Sequence, residues 1–456
     1  MSALLAQLRG YSRLGGSGSE LPTTAEKQQQ QQQQSLIRLG AHKRLVRVVV
    51  GLGVLCFLAY TCPPIDKETR RLGGSPGFYY LENVWYNNRT FHAYSSLPDA
   101  LPKQDETLSA LGFVVAEHAR EQAPDVCFAG TTLFLNEGAG DAWSGMYHYY
   151  HFAAENVLGG LAAMATWAGA RDLVLGKGMG KGKHGAARDR YVPDQIIVPW
   201  DNRWHDVYGM NDMVVEGIWN DQHLGPDQWA VLEEDMEGSD GWIYFERIVI
   251  VDRWAAHRHS PQVEKWYKMA AGIFEEHHQP HFFSGARNRL LHHYDIHPRK
   301  PSDPQQIVYI DRQNSDRKLP DATHTELLRQ LETFSETERV DFRYLKLEDM
   351  SPRDQIEAVA RASIMLGVHG NGLTHELWLP EDSTVIELWP PHSFQRDYEC
   401  VATVLGHEYV AIRNDSIYTK QQQTSHTKGP DELHSGTPIL LDVPFFMSVL
   451  KGLVRG

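Results

Sequence analysis

The chain has 456 residues, a length that indicates two domains with accessory segments, since most domains contain roughly 100–200 residues. Hydrophobic residues make up 42% and charged residues 22% of the sequence, which excludes a wholly disordered chain, and four cysteines are too few for a disulfide-built fold. The 58 acidic residues outnumber the 44 lysines and arginines, and the net charge of −14 argues against a nucleic-acid partner.

The first predicted element is a membrane anchor near the amino terminus. Residues 1–45 include a run of seven glutamines and are expected to be disordered. The apolar segment 46–62 follows Lys43 and Arg44, and it is just long enough for one membrane-spanning helix, with a buried core helix as the alternative. The basic flank places the amino terminus in the cytosol, and a short span suits the thin membranes of the ER or Golgi. The sequence therefore predicts a type II membrane protein with a lumenal body.

Two further features fit a lumenal body. Asn88 and Asn414 begin N-glycosylation sequons, Asn-Arg-Thr and Asn-Asp-Ser. Cys127 and Cys400 lie beyond the membrane segment, where an oxidising lumen would allow them to form a disulfide. Two buried free thiols are the alternative.

The lumenal body alternates between strand-like and helix-like segments. Such alternation predicts an α/β fold with parallel sheets, arranged as two Rossmann-like halves that face a cleft. A final apolar helix at 442–453 is expected to pack back across the other half. The predicted strands are 131–135, 195–199, 243–251, 306–310, 340–347, 363–368, 384–388 and 408–412; the predicted helices include 149–168, 263–277, 325–334, a helix capped by Ser351, one through Trp378, and 398–405.

Glycine-rich backbone follows the strand at 363–368. His369, Gly370, Asn371 and Gly372 lead into a helix, and glycines let backbone N–H groups approach an anion to which the helix start adds partial positive charge. Because ligands bind beyond the carboxyl ends of parallel strands, this segment is a candidate phosphate site. A tight turn that needs glycine for its backbone angles is the alternative.

Two arginines follow the strand at 306–310. Arg312 and Arg317 suit the two phosphates of a diphosphate, because a guanidinium binds phosphate oxygens bidentately; a solvated charged turn is the alternative. Glu387, inside the apolar strand 384–388, is expected to bind ribose hydroxyls, or else to form a buried salt bridge.

The amino half contains a candidate general base. On a helix, His151 and Glu155 lie four residues apart on one face, and a histidine oriented by a carboxylate accepts a proton near neutral pH. A histidine that only caps the helix is the alternative, and His148 is the next candidate base.

At this point the chain resembles glycosyltransferase family 61. The resemblance rests on GVHGNGLTHELWLPEDSTVIELWPP (367–391), on YIDRQNSDRK (309–318), on YYHFAAE (149–155) and on the segment 397–410. The family includes plant β-1,2-xylosyltransferases and animal lumenal transferases of O-linked N-acetylglucosamine. It implies a GT-B fold, a UDP-sugar donor bound by the carboxyl half, and inversion at the anomeric carbon. On this sequence, Arg312, Arg317 and the loop 369–372 would hold the pyrophosphate, and Glu387 would approach the ribose.

The resemblance gives the whole chain a functional prediction. It is expected to transfer xylose or N-acetylglucosamine to a glycan or glycoprotein, with a catalytically inactive nucleotide-sugar-binding scaffold as the alternative. No Asp-x-Asp motif is present, so no metal cofactor is expected, because arginines and a helix start neutralise a diphosphate without one. The predicted segments are a cytosolic tail (1–45), a signal anchor (46–62), a stem (63–76), an acceptor domain (77–300), a nucleotide-sugar domain (301–415), and a loop with a helix (416–456).

Overall fold

The structure is a computed structural model, which describes residues 68–108, 111–116, 123–137, 146–174, 191–200, 204–259, 269–276, 278–279, 281–390, 396–418 and 436–455. All of these residues belong to one compact unit. The predicted tail and signal anchor, residues 1–62, lie outside the described residues. Within the described ranges, no helix is both long enough and apolar enough to cross a membrane.

Most of the first half of the described chain folds around a mixed sheet of eight strands. Its order is β4-β3-β2-β8-β5-β6-β7, and β1 pairs with β2. The strands are β1 (Arg70–Ser75), β2 (Phe78–Asn87), β3 (Thr90–Tyr94), β4 (Gly112–Ala116), β5 (Val126–Leu135), β6 (Gln195–Ile197), β7 (His223–Leu224) and β8 (Ile243–Val251).

Only part of this sheet matches the predicted Rossmann-like half. Strands β8, β5, β6 and β7 run parallel, whereas β2 is antiparallel to β1, β3 and β8. The predicted stem also needs correction, because β1 already belongs to the sheet at residue 70. Its backbone hydrogen bonds are satisfied by β2, so this part of the predicted stem is folded.

The second sheet has six strands in the order β10-β9-β11-β12-β13-β14, and all pairs but the last are parallel. This confirms the predicted parallel sheet of the carboxyl half. The strands are β9 (Gln306–Ile310), β10 (Asp341–Leu345), β11 (Ile364–Val368), β12 (Thr384–Leu388), β13 (Glu408–Arg413) and β14 (Ser416–Tyr418).

Helices cover both faces of the second sheet. Along β9, Ile307 and Tyr309 pack into one apolar cluster, and Val308 and Ile310 pack into another on the opposite face. Side chains of a strand alternate between the faces of a sheet, and burial on both faces explains the uninterrupted apolar run. The cluster with Val308 also contains apolar side chains of the first half, so one core joins the two sheets.

The α-helices have these bounds: Gln104–Thr107, Leu158–Val174, Met210–Trp219, Pro226–Ser239, Arg253–His259, Ala271–Phe274, Ser284–His293, Asp321–Glu338, Pro352–Ala360, Asp397–Leu405 and Val443–Arg455. Tyr150–Val157 is a π-helix that continues into Leu158–Val174, and Asn371–Trp378 is a 3₁₀-helix.

The hydroxyl of Ser351 accepts the backbone N–H of Asp354, which confirms the predicted helix cap. Residues 263–268 and 277 of the predicted helix 263–277 lie outside the described residues, and the described part contains the short helix Ala271–Phe274.

The last helix packs differently from the prediction. Phe446 and Leu450 belong to the same cluster as Leu331 of helix Asp321–Glu338. Arg455 also donates to Glu338 at 2.6 Å. The helix therefore covers the second sheet and not the other half of the protein.

Cys400 is a buried free thiol, so the described residues do not form the predicted Cys127–Cys400 disulfide, and for Cys400 the alternative of a buried free thiol holds. Asn88 lies at the exposed turn between β2 and β3, and Asn414 at the exposed turn between β13 and β14. Both asparagines have positive φ, which is common in tight turns, and both remain predicted glycosylation sites.

Candidate functional site

The second sheet has a topological switch point between β9 and β11. In chain order its parallel strands lie 2-1-3-4-5, so the chain leaves β9 for one neighbour, β10, and later returns to the other side as β11. Gly367 pairs with Ile310, so the residues after both strands emerge side by side at the carboxyl edge. Ligands of open α/β sheets bind at such a point.

A cavity of about 350 Å³ opens at this edge. The two halves of the chain both contribute to its lining, so this cavity corresponds to the predicted cleft. The lining residues are Tyr149, Asp206, Tyr208 and Met210 from the first half, and Ile310, Asp311, Arg312, Asn314, Ser315, Leu347, Glu348, Gln355, Val368, Asn371, Gly372 and His375 from the second.

Arg312 is the one arginine or lysine among the described residues that line the cavity. Its guanidinium lies against Gly370, so closely that a Cβ at this glycine would overlap Nη1 and Cζ. Burial lowers the pKa of Arg312, and the positive charge of Arg317 lowers it further. Nε is buried and has no hydrogen-bond partner in the described part of the chain. A half-buried guanidinium whose Nε has no partner among the described residues is arranged to bind an anion.

The predicted phosphate residues gather around Arg312, but not all of them line the cavity. Asn371 and Gly372 do, whereas His369 is buried beneath them. Arg317 lies in the same loop, where it adds positive charge without being part of the lining.

The loop 369–372 also joins the two halves. The amide oxygen Oδ1 of Asn371 accepts the backbone N–H of Tyr150 at 3.0 Å. That N–H belongs to the first turn of the π-helix, where backbone donors lack partners within the helix. The start of the helix that carries His151 is thereby fixed to the edge of the cavity.

Glu387 does not lie where the sequence predicted. It is fully buried, Oε1 lies 2.5 Å from Nδ1 of His369, and the hydroxyl of Tyr409 donates to Oε2. Burial raises the pKa of Glu387 well above its usual range. These are the contacts of the buried pair that the sequence left as the alternative, and a direct ribose contact does not fit them. Glu387 instead orients the His369 ring beneath the loop.

His375 is a cavity residue that sequence reasoning missed. Its Nδ1 lies 2.9 Å from the carbonyl oxygen of Gly372, and burial lowers its pKa to about 4. The ring is therefore neutral at pH 7, and Nδ1 carries the proton that it donates to this carbonyl. No local sequence signal separates this histidine from a core residue, because its role depends on the 3₁₀-helix.

His151 and Glu155 form the predicted pair. Nδ1 of His151 lies 2.6 Å from Oε2 of Glu155, and about a quarter of the His151 side chain is exposed (27%). Glu155 is fully buried, and it also accepts from Arg253 and from the backbone N–H of Met269. Because Glu155 accepts from Nδ1–H, Nε2 of His151 is the nitrogen with a lone pair. The pair begins two residues after the cavity-lining residue Tyr149, and neither His151 nor Glu155 is itself part of the lining.

Comparison with known proteins identifies the family. The family model described as Glycosyltransferase 61 matches residues 149–386, just over half of the chain. The chain belongs to glycosyltransferase family 61. The matched segment of this family 61 glycosyltransferase begins at the cavity residue Tyr149 and ends one residue before Glu387. It contains His151, Arg312 and the loop 369–372.

The names of curated relatives of this glycosyltransferase state transfer of N-acetylglucosamine to EGF domains and transfer of xylose. The EGF domain-specific O-linked N-acetylglucosamine transferase of Gallus gallus is 30% identical over 152 residues, which cover 33% of this chain and 27% of the relative. The protein of the same name from Drosophila melanogaster is 26% identical over 140 residues, covering 31% and 26%. The Beta-1,2-xylosyltransferase of Arabidopsis thaliana is 35% identical over 66 residues, covering 14% and 12%. The first two matches thus span only about a quarter of each relative's length.

The structure of this family 61 enzyme adds two buried charged residues that sequence reasoning missed. Glu137 follows β5 and Arg253 follows β8, and the two side chains form an ion pair beside Glu155. A signal was present in the polar pairs Asn136-Glu137 and Asp252-Arg253, each of which directly follows an apolar strand. Parallel pairing of β5 with β8 brings these pairs to the same carboxyl edge.

Proposed function

We propose that the protein is an inverting glycosyltransferase of GT-B type that transfers a sugar from a UDP-sugar to a glycan or glycoprotein. The observation that carries this proposal is Arg312, a half-buried cation packed on Gly370 at the switch point of the second sheet. Together with Arg317 and the backbone N–H groups of the loop 369–372, it suits the pyrophosphate of the donor. His369 is buried and does not line the cavity, and Glu387 holds the His369 ring and thereby stabilises the loop 369–372.

The transfer step assigns roles to residues of both halves. The acceptor hydroxyl oxygen attacks the anomeric carbon from the face opposite to UDP, and the bond between that carbon and the phosphate oxygen breaks. UDP leaves with the electron pair, and its charge is neutralised by Arg312 and Arg317. Nε2 of His151 accepts the hydroxyl proton, and Glu155 stabilises the imidazolium that forms.

The names of the relatives support our choice of donor and acceptor. Their names specify N-acetylglucosamine transfer to EGF domains and xylose transfer. We take N-acetylglucosamine or xylose as the transferred sugar, and a secreted glycoprotein or its glycan as the acceptor. Two arginines in the donor site lead us to expect that no metal ion is needed.

A donor assay tests this proposal. The purified full-length chain in detergent is expected to bind UDP and to consume UDP-N-acetylglucosamine or UDP-xylose, with release of UDP. Activity should persist in excess chelator, because the proposed counter-charges are arginines and backbone amides. UDP binding without any turnover would favour the inactive scaffold, whereas absence of UDP binding would contradict the proposed donor. Loss of activity that added metal restores would contradict metal independence.

We also propose that the protein is a type II membrane protein of the Golgi or ER with a lumenal catalytic body. The proposal rests on the apolar segment 46–62, its flank of Lys43 and Arg44, and the exposure of Asn88 and Asn414 at turns. In intact microsomes, protease should remove the glutamine-rich tail and leave the body intact, and endoglycosidase should shift the mass of the protected body. Digestion of the body with protection of the tail would reverse the orientation.

A further inference from the structure

A fully buried ion network lies behind His151. Arg253 contacts Glu137 through Nε and Nη2 and contacts Glu155 through Nη1, and the Nε–Oε2 distance is 2.9 Å. All three side chains are at most 1% exposed. Burying ions is costly unless each has its partners, and here each of the three ions contacts a partner of opposite charge.

The network is attached to rigid elements on every side. Glu137 and Arg253 follow the paired strands β5 and β8, where Asn136 Nδ2 donates to Asp252 Oδ2 at 2.9 Å. The amide Nδ2 of Asn156 donates to Glu137 at 3.1 Å and to the backbone carbonyl of His151 at 2.8 Å. The same amide therefore connects the network to the π-helix, and π-helical segments are frequent at functional sites.

The net charge of the network depends on whether His151 is protonated. Two carboxylates and one guanidinium sum to one negative charge, and a protonated His151 brings the total to zero. Arg253 also limits how strongly Glu155 attracts the imidazolium, because both cations share Oε2 of Glu155. In a buried site such charge–charge effects are only weakly screened.

Other titratable groups lie near the π-helix: His148, Asp206, Asp212, His375, Glu376, Asp397 and Cys400. Burial lowers the pKa of His375 to about 4, so its ring is neutral at pH 7, and burial raises the pKa of both Glu376 and Cys400, which favours their uncharged forms. Asp212 is directed toward the exposed His205 at 2.6 Å.

We propose that Glu137 and Arg253 are positioning residues that set the protonation of His151 through the shared carboxylate of Glu155. This inference rests on the proposed function, in which His151 is the base. Neither residue touches the substrate in this proposal. They determine in which pH range the imidazole is free to accept a proton.

Two variants are expected to shift His151 in opposite directions. Glu137→Gln removes one negative charge and leaves Arg253 entirely to Glu155, so the imidazolium loses support and the acid limb of the kcat profile should move to lower pH by roughly one unit. Arg253→Lys keeps a charge near Glu137 but is too short to reach Glu155 as Nη1 does, so Glu155 should hold the imidazolium more strongly and the limb should move to higher pH. Glu246→Gln is the matched control, since Glu246 pairs with Arg247 on β8 outside the network and should leave the profile unchanged.

The measurement combines pH–rate profiles with NMR titration of the His151 ring in the full-length protein. Matching shifts of the rate profile and the ring titration would support the proposal, and Arg253→Lys alone carries the test if Glu137→Gln does not fold. A ring titration that both folded variants leave within about 0.2 pH units of the wild type would overturn it. Shifted ring titrations with unshifted rate profiles would retain the network but contradict the proposed role of His151 as base, so the two failures are distinguishable.

Discussion

His151→Ala is expected to lose on the order of 10²–10⁴ in turnover while UDP affinity stays nearly unchanged, because a positioned base contributes this much to a proton transfer. His151 is two residues from the cavity-lining residue Tyr149 but is not itself part of the lining, so its removal should act on the transfer step and not on donor binding. Glu155→Gln should lose less, since the imidazole remains and only its orientation and charge support weaken. Turnover is measured with saturating UDP-sugar, and UDP binding by calorimetry.

The chain offers a matched control for this experiment. Nδ1 of His205 lies 2.6 Å from Asp212, the same contact as in the proposed catalytic pair, but both side chains are exposed. His205→Ala should therefore retain turnover. A His151→Ala enzyme with normal turnover would move the base to another residue of the first half, and His148, whose ring centroid lies 4.9 Å from that of His151, would be the next candidate.

The sequence predicts best where structure is determined locally. Strands β8, β9 and β12 match their predicted ranges residue for residue, because each is a mainly apolar run rich in β-branched residues. The parallel sheet of the carboxyl half follows from regular strand–helix alternation. The first half could not be predicted in the same way, since β2 pairs with β8, a strand that comes much later in the chain. Local patterns carry no information on such a pairing.

The residues of the candidate site were likewise predictable only where the local sequence determines their position. Arg312 and the loop 369–372 follow strands, where local sequence indicates a phosphate site, and the structure places them together. Glu387 and Arg253 show what local sequence cannot reveal. Glu387 was expected to contact ribose and is a buried partner of His369. Arg253 was not singled out from the sequence, and it is a buried partner of two carboxylates. Burial of a charged group is a tertiary property, and in both cases it determines what the residue does.

The contact between Arg312 and Gly370 makes a further large effect testable. Arg312→Ala removes a charge-assisted hydrogen bond worth about 1.5–3 kcal/mol, so UDP affinity should fall roughly 10- to 100-fold. Gly370→Ala should produce a similar loss without touching a charge, because the added Cβ would occupy the space of the guanidinium. The double variant should be no worse than the more severe single variant, since both changes remove the same interaction.

Two controls separate this effect from general damage. Gly452→Ala adds a methyl group in open space on the last helix, and Arg329→Ala removes an exposed arginine of helix Asp321–Glu338 that pairs with Glu326. Both should bind UDP like the wild type. Full UDP affinity in folded Arg312→Ala and Gly370→Ala proteins would support the alternative interpretation, in which the segment with Arg312 and Arg317 is only a solvated charged turn. Losses that add in the double variant would mean that Gly370 contributes to phosphate binding through its own backbone, independently of the space that it leaves for Arg312.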